Sequence, residues 1–157
     1  MNDAQFKPGS VTVRAVSASE VRPLRHAVLR TGHPLSAGNF SGDDAPTTRH
    51  FGAYRDEALL GVASVYRAEL PEQSGVPAIQ LRGMAVAPDL RGSGIGRQLI
   101  QACVDFTRDN GVGLLWCNAR LTALEFYRKL GFEIIGGEFE IPDVGPHFRM
   151  AMRLAQA

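Results

Sequence analysis

Three glycines at alternate positions, Gly92, Gly94 and Gly96, break up the stretch VAPDLRGSGIGRQLI, with Arg91 before them and Arg97 after. An apolar run of strand character, IQLRGMAV, precedes them, and Ile95, Leu99, Ala102, Cys103 and Phe106 follow at helical spacing. A strand that turns through glycines into a helix gathers unpaired backbone N–H groups near the positive end of the helix dipole, a site suited to phosphate oxygens. The glycines let that backbone approach a ligand without a Cβ in the way, and Arg91 and Arg97 add positive charge. A bare glycine cluster also makes ordinary turns, so the downstream chain must decide.

Two common phosphate loops fail on spacing. No Lys-Ser or Lys-Thr follows the glycines, as a Walker loop requires. The dinucleotide fingerprint needs glycine at position 97, where this chain has arginine, and LLWCN has no acidic end to hold a ribose. A nucleotide-binding module is therefore disfavoured.

The elements that must position this loop follow from periodicity. VTVRAV alternates as a half-buried strand, and SASEVRPLRHAVLR carries Val21, Leu24 and Val28 at helical spacing, with Pro23 expected in the first turn. Residues 31–48 are rich in Gly, Pro, Ser and Asp and form a long loop. HFGAYR and ALLGVASVYRAEL read as a hairpin around Asp56 and Glu57, and IQLRGMAV is the next strand. GVGLLWCN is a short buried strand. Thr122 and Glu125 match a capping box, Leu124, Tyr127 and Leu130 form an apolar stripe, and Gly131 ends that helix. FEIIGGEFEI and HFRMAMRL close the chain around PDVGP. The order is β-α, long loop, β-β-β-α-β-α-β-β, an α/β (α+β) class built around a mixed sheet.

Composition narrows the partners. A chain of 157 residues is expected to form a single domain, 1–157. Seventeen basic residues against 16 acidic give a net charge of +1 with no long basic run, which argues against nucleic acid or membrane as a partner. MNDAQFKPGS lacks the apolar core of a signal peptide, and no segment has the length to cross a bilayer, so a cytoplasmic location is expected. Cys103 and Cys117 form no metal-ligand pattern and are expected to be reduced and buried; no metal site is indicated.

RGSGIG after LRGMAV resembles the signature of the GNAT superfamily of N-acetyltransferases. LLWCNARLTALEFYRKLGF is similar to the next part of the same pattern, an Asn ending a strand and a helix reading A-x-x-F-Y-x-K-x-G-F. The two motifs span residues 79–132, and the surrounding element order fits. VRPLRHAVLR, GDD and IPDVGPHFRM also resemble small bacterial members.

The resemblance implies a mixed, mostly antiparallel sheet flanked by helices, with two splayed central strands and acetyl-CoA lying where they part. Backbone groups of Met84, Ala85 and Val86 would then pair with the pantetheine amides. Gly92, Gly94 and Gly96, with the N–H groups of Ser93, Ile95 and Arg97, would hold the pyrophosphate, helped by Arg91. Asn118 would bond the cofactor or order a water; its blander role is to turn the chain at a strand end. Tyr127 matches the general acid, since a phenol is protonated at neutral pH and can donate to a departing thiolate. Packing in its helix stripe is the competing role for it.

The general base is left open by the residues. Some members carry a Glu on the strand before the pyrophosphate loop, where this chain has Gln80, which takes no proton. His147, at the start of the last strand, is the leading candidate; Glu138, Asp43 and Asp44 are weaker, as loop acids are usually solvated. No activating base neighbours Cys117, so direct transfer without an acetyl-enzyme is expected. The acceptor is a small-molecule amine or a peptide N-terminus, and exposed strand edges permit a homodimer. A non-catalytic acyl-CoA sensor on the same fold is the alternative that Gln80 raises.

Overall fold

The structure is a computed structural model and describes residues 10–155. Most of MNDAQFKPGS, and with it the signal-peptide reading, lies outside the described residues. Seven strands are hydrogen-bonded in the order β1-β2-β3-β4-β5-β7-β6. They are β1 (Thr12–Val16), β2 (Arg49–Arg55), β3 (Ala58–Arg67), β4 (Ile79–Val86), β5 (Leu114–Arg120), β6 (Glu133–Ile141) and β7 (Gly145–Arg153). Among the described residues three α-helices accompany them: α1 (Ala18–Leu29), α2 (Ile95–Asp109) and α3 (Leu124–Lys129). β1 with β2, β2 with β3, β5 with β7 and β6 with β7 pair antiparallel, and β4 with β5 pairs in parallel. The element order and the mixed, mostly antiparallel sheet agree with the sequence reading. No helix among the described residues is long and apolar enough to cross a membrane.

The described residues form two compact units, one of residues 10–66 and 83–103, the other of 67–82 and 104–155. In the first, β1, β2 and β3 make an antiparallel meander whose β2–β3 turn places Asp56 at φ 54. Helix α1 begins at a true capping box: the Ser17 side chain accepts from the Glu20 N–H, and the Glu20 carboxylate accepts from the Ser17 N–H. Its apolar face sets Val21, Leu24 and Val28 against Val62 and Ala85, a core that ties the helix to the strands. Pro23 lies inside this helix rather than in its first turn. The long loop contains a 3-10 turn, Leu35–Gly38.

The second unit is built on β5, which pairs in parallel with the first half of β4 from Ile79↔Leu115 to Leu81↔Cys117 and antiparallel with β7. Leu114, Trp116, Ala151, Leu70 and Ala78 form its core on one face. The Trp116 indole N–H, which needs an acceptor once buried, donates to the Ala68 carbonyl at 2.8 Å. β6 pairs with β7 but shifts register between Ile135 and Phe139, around Gly136 and Gly137.

Two local expectations change. The box expected at Thr122 and Glu125 does not form, because residues 121–123 make a 3-10 turn and the N-cap of α3 is Ala123, without a side-chain cap; Glu125 instead meets Arg128 at 3.7 Å. β5 continues to Arg120, so Asn118 stands two residues before the strand end and a turn-forming role for it falls away.

Candidate functional site

In the first unit β4 ends at Val86, residues 88–90 make a 3-10 turn, and the chain passes through Arg91–Gly94 into α2. Gly92 and Gly94 have φ of +83° and +91°, a region L-residues avoid, and a Cβ built on either would meet nothing within 4 Å. Neither glycine is needed for packing, so conformation and open space explain them. The Ser93 N–H and hydroxyl both donate to the Leu90 carbonyl, at 3.2 and 2.5 Å, which closes the turn. The first helical bond runs from the Gln98 N–H to the Gly94 carbonyl, so the amides at the start of α2 have no acceptor within the helix. Ile95 is buried and anchors the start, while Arg91 and Arg97 are exposed. The arrangement can accept an oxyanion on backbone amides, with the Ser93 N–H already engaged.

Upstream, Ala85 is buried against Val21 and Val62, with Met84 and Val86 half-buried. Gly83 interrupts the regular strand with φ +66°, and a Cβ there would lie 2.8 Å from Arg25 Nε and 3.3 Å from the Phe40 ring. The strand is thus bent over a buried arginine.

That arginine was not legible as a site residue. Arg25 is 0% exposed; its Nη1 donates to the Gly38 carbonyl at 2.9 Å and to Asp43 Oδ2 at 2.8 Å, and its Nη2 to Ser64 Oγ at 2.9 Å and Tyr66 OH at 3.1 Å. The Tyr66 hydroxyl donates to Asp43 Oδ1 at 2.6 Å, and the Phe40 N–H to Oδ2 at 2.9 Å. Burial alone would raise the Asp43 pKa; the bonds from Arg25, Tyr66 and Phe40 outweigh it and bring it down to about 2. Burial and the bond to Asp43 push the Tyr66 phenol up to about 12. His50 Nε2 donates to the Asp43 carbonyl at 2.9 Å, so its Nδ1 accepts from the Ser64 hydroxyl at 2.6 Å.

Asp43 is therefore a buried structural carboxylate, only 5% exposed, and not a solvated loop acid or a base. Arg22 reaches Asp43 at 3.4 Å and Asp44 at 3.6 Å, and the Asp44 side chain is exposed. The only clue in the sequence is position: Arg25 shares the apolar face of α1 with Val21, Leu24 and Val28.

The second unit contains Asn118, Tyr127 and His147. Asn118, on β5, is in register with Arg149 of β7, and its Oδ1 is buried with no hydrogen-bond partner. His147 pairs with Arg120 of β5 and Phe139 of β6, so it lies on the same face two residues from Arg149. It is 4% exposed, and its Nδ1 donates to the Gly145 carbonyl at 2.8 Å, which leaves the lone pair of the neutral ring on Nε2. That is the protonation pattern a general base needs.

Tyr127 is buried on α3, edge-on to Phe126 and Phe132 at 5.1 and 5.3 Å. Gln80 is in register with Trp116. Glu138 falls within the register shift of β6 and is exposed. Cys103 and Cys117 are free thiols whose pKa values burial pushes well up, so neither supplies a thiolate nucleophile. Among the described residues no group of three or more His, Cys, Asp or Glu side chains is placed to hold a metal ion.

The family model for the acetyltransferase (GNAT) domain matches residues 46–134. The uncharacterized N-acetyltransferase YitI of Bacillus subtilis is 31% identical over 138 residues, covering 88% of this chain and 93% of that protein. Escherichia coli ElaA superposes with a TM-score of 0.72 at 20% identity, over 90% of this chain and 99% of its own. Aminoglycoside 6'-N-acetyltransferase complexed with coenzyme A superposes with a TM-score of 0.73 at 14% identity, over 93% of this chain and 98% of its own.

Proposed function

Because this chain belongs to the GNAT family of acetyltransferases, and so transfers an acyl group from acyl-CoA, we propose that its donor is acetyl-CoA and its acceptor a primary amine, most simply that of a small molecule. The observation that carries the proposal is the glycine turn at the start of α2, where two positive-φ glycines leave open space before unbonded helix-start amides. A coenzyme A complex of an enzyme with the same fold supports the choice of donor. Residues 1–157 act as one N-acetyltransferase domain in this reading, and the family match draws on both compact units.

Backbone amides of Gly94, Ile95, Gly96 and Arg97 hold the pyrophosphate, Gly92 and Ser93 shape the turn, and Arg91 adds positive charge. The backbone of Met84, Ala85 and Val86 pairs with the pantetheine arm, and the Asn118 amide bonds the cofactor. Bound acetyl-CoA supplies an activated thioester carbonyl carbon. His147 Nε2 removes the proton that the amine loses as the new C–N bond forms and the C–S bond breaks. Tyr127 gives its hydroxyl proton to the leaving sulfur, and both residues then exchange protons with solvent. The products are an acetamide and the free thiol of coenzyme A.

Thermal-shift titration with acetyl-CoA, followed by a thiol-release assay over a panel of amines, tests the reading. Stabilisation by acetyl-CoA and thiol release that depends on an amine are expected. Binding without turnover of any amine would favour a sensor role, and stronger stabilisation by ATP or NAD would overturn the donor.

A further inference from the structure

Arg149 is a guanidinium in the second unit that the reaction above leaves unused. It lies mid-strand in β7, in register with Asn118 on one side and Ile135 on the other. Its Nη1 reaches Glu72 Oε2 at 3.3 Å, and its Cζ stands 4.4 Å from the centroid of the Phe139 ring. These contacts fix the head group yet leave Nε buried without an acceptor. On the paired residue, Asn118 Oδ1 is buried without a donor.

A buried donor and a buried acceptor on directly paired residues could satisfy each other, since cross-strand Cβ atoms stand about 4.5–5.5 Å apart. Here they do not. Orphaned groups of this kind are rare in folded proteins and call for a partner. A species that carries both an anionic oxygen and an N–H meets the two needs together, because a guanidinium binds carboxylate well and an amide oxygen accepts from an amine. His147, two residues along the same strand face, stands about 7 Å from Arg149 along the backbone. An amine and a carboxylate borne on one carbon can be held between them, with the nitrogen toward His147.

We propose that Arg149 and Asn118 select an acceptor whose amine has a carboxylate on the adjacent carbon, the free α-amino acids being the simplest class. Arg149 Nε donates to the carboxylate, and Asn118 Oδ1 accepts from the amine, while the Asn118 Nδ2 is left for the cofactor. The assignment rests on the acetyl-transfer reading and names its substrate class. It disfavours a peptide N-terminus, whose corresponding carboxyl is an amide.

The test compares free amino acids with their matched α-carboxamides as acceptors at saturating acetyl-CoA. The wild-type protein should favour an acid over its amide by tenfold or more in kcat/KM. Arg149→Met should abolish that ratio by raising KM for the acids while acetyl-CoA affinity holds, as expected when uniform binding is lost. Arg149→Lys should restore it only in part, since a lysine lacks the Nε–H.

Equal use of acids and amides by the wild-type protein overturns the proposal without recourse to any variant, and so does an unchanged ratio in Arg149→Met. Turnover of carboxylate-free amines alone would remove this assignment and leave acetyl transfer standing. A chain that binds acetyl-CoA but acetylates no amine would remove both.

Discussion

Arg25 and Asp43 face each other at 2.8 Å with both side chains withdrawn from solvent, and each carboxylate oxygen of Asp43 already has a donor. The pair joins the arginine-rich helix α1 to the GDD segment of the long loop, two stretches that look unrelated in the sequence. Removing one partner strands the other charge in a medium that solvates it poorly. Asp43→Asn should therefore lower unfolding free energy by about 3–5 kcal/mol. Urea denaturation checks the value, and the double replacement Arg25→Met with Asp43→Leu should cost less than the sum of the two single changes.

The same network sets a pH dependence at both ends of the scale. Asp43 has its pKa depressed from 3.8 to about 2, so the unfolded chain binds its proton first as pH falls. The stabilisation, about 2 kcal/mol, is present above pH 4 and is lost between about pH 4 and 2. Tyr66 is raised from 10 to about 12, so the unfolded chain releases its proton first as pH rises, and stability declines between those values. Denaturation midpoints across the two ranges should follow these slopes, and Asp43→Asn should flatten the acid one.

Two glycines should separate binding from folding. Gly94→Val puts a side chain into open space at positive φ, a strain of about 1–3 kcal/mol. The variant should stay folded but bind acetyl-CoA at least tenfold more weakly. Gly83→Ala sets a methyl 2.8 Å from the buried Arg25 Nε as well as at positive φ. Its melting temperature should fall further than that of Gly94→Val, and calorimetry of both proteins with and without acetyl-CoA makes the comparison.

Tyr127→Phe removes one hydroxyl and keeps the ring contacts with Phe126 and Phe132. Turnover should drop by about 10²–10⁴-fold, the range for loss of a general acid, with acetyl-CoA affinity nearly intact. Unchanged turnover would sink the assignment of the acid.

The sequence made the element order legible because strand and helix periods differ and turns are punctuated by glycine or acidic residues, as at Gly131 and at Asp56 and Glu57. The glycine loop could be read from its neighbours in the chain, since backbone conformation there is a local property. Arg25 could not. An arginine beside Leu24 and three residues from Val28 looks like a solvent-facing charge, and its partners at Ser64 and Tyr66 lie 39 and 41 residues away. Arg149 was hidden for the same reason, because strand register alone brings it beside Asn118. The two S/T-x-x-E patterns, at Ser17 and Thr122, look alike on paper. Only the first forms a cap, because Thr122 is taken up in a 3-10 turn.

The fastening of residues 38–43 by Arg25 and His50 bears on when this segment gives up its freedom. Rigid fixation of that segment by several buried bonds means its loss of freedom is charged to folding and not to encounter. Backbone amides of that stretch should accordingly exchange hydrogen with solvent only as slowly as the surrounding structure opens, unlike those of an unfastened loop.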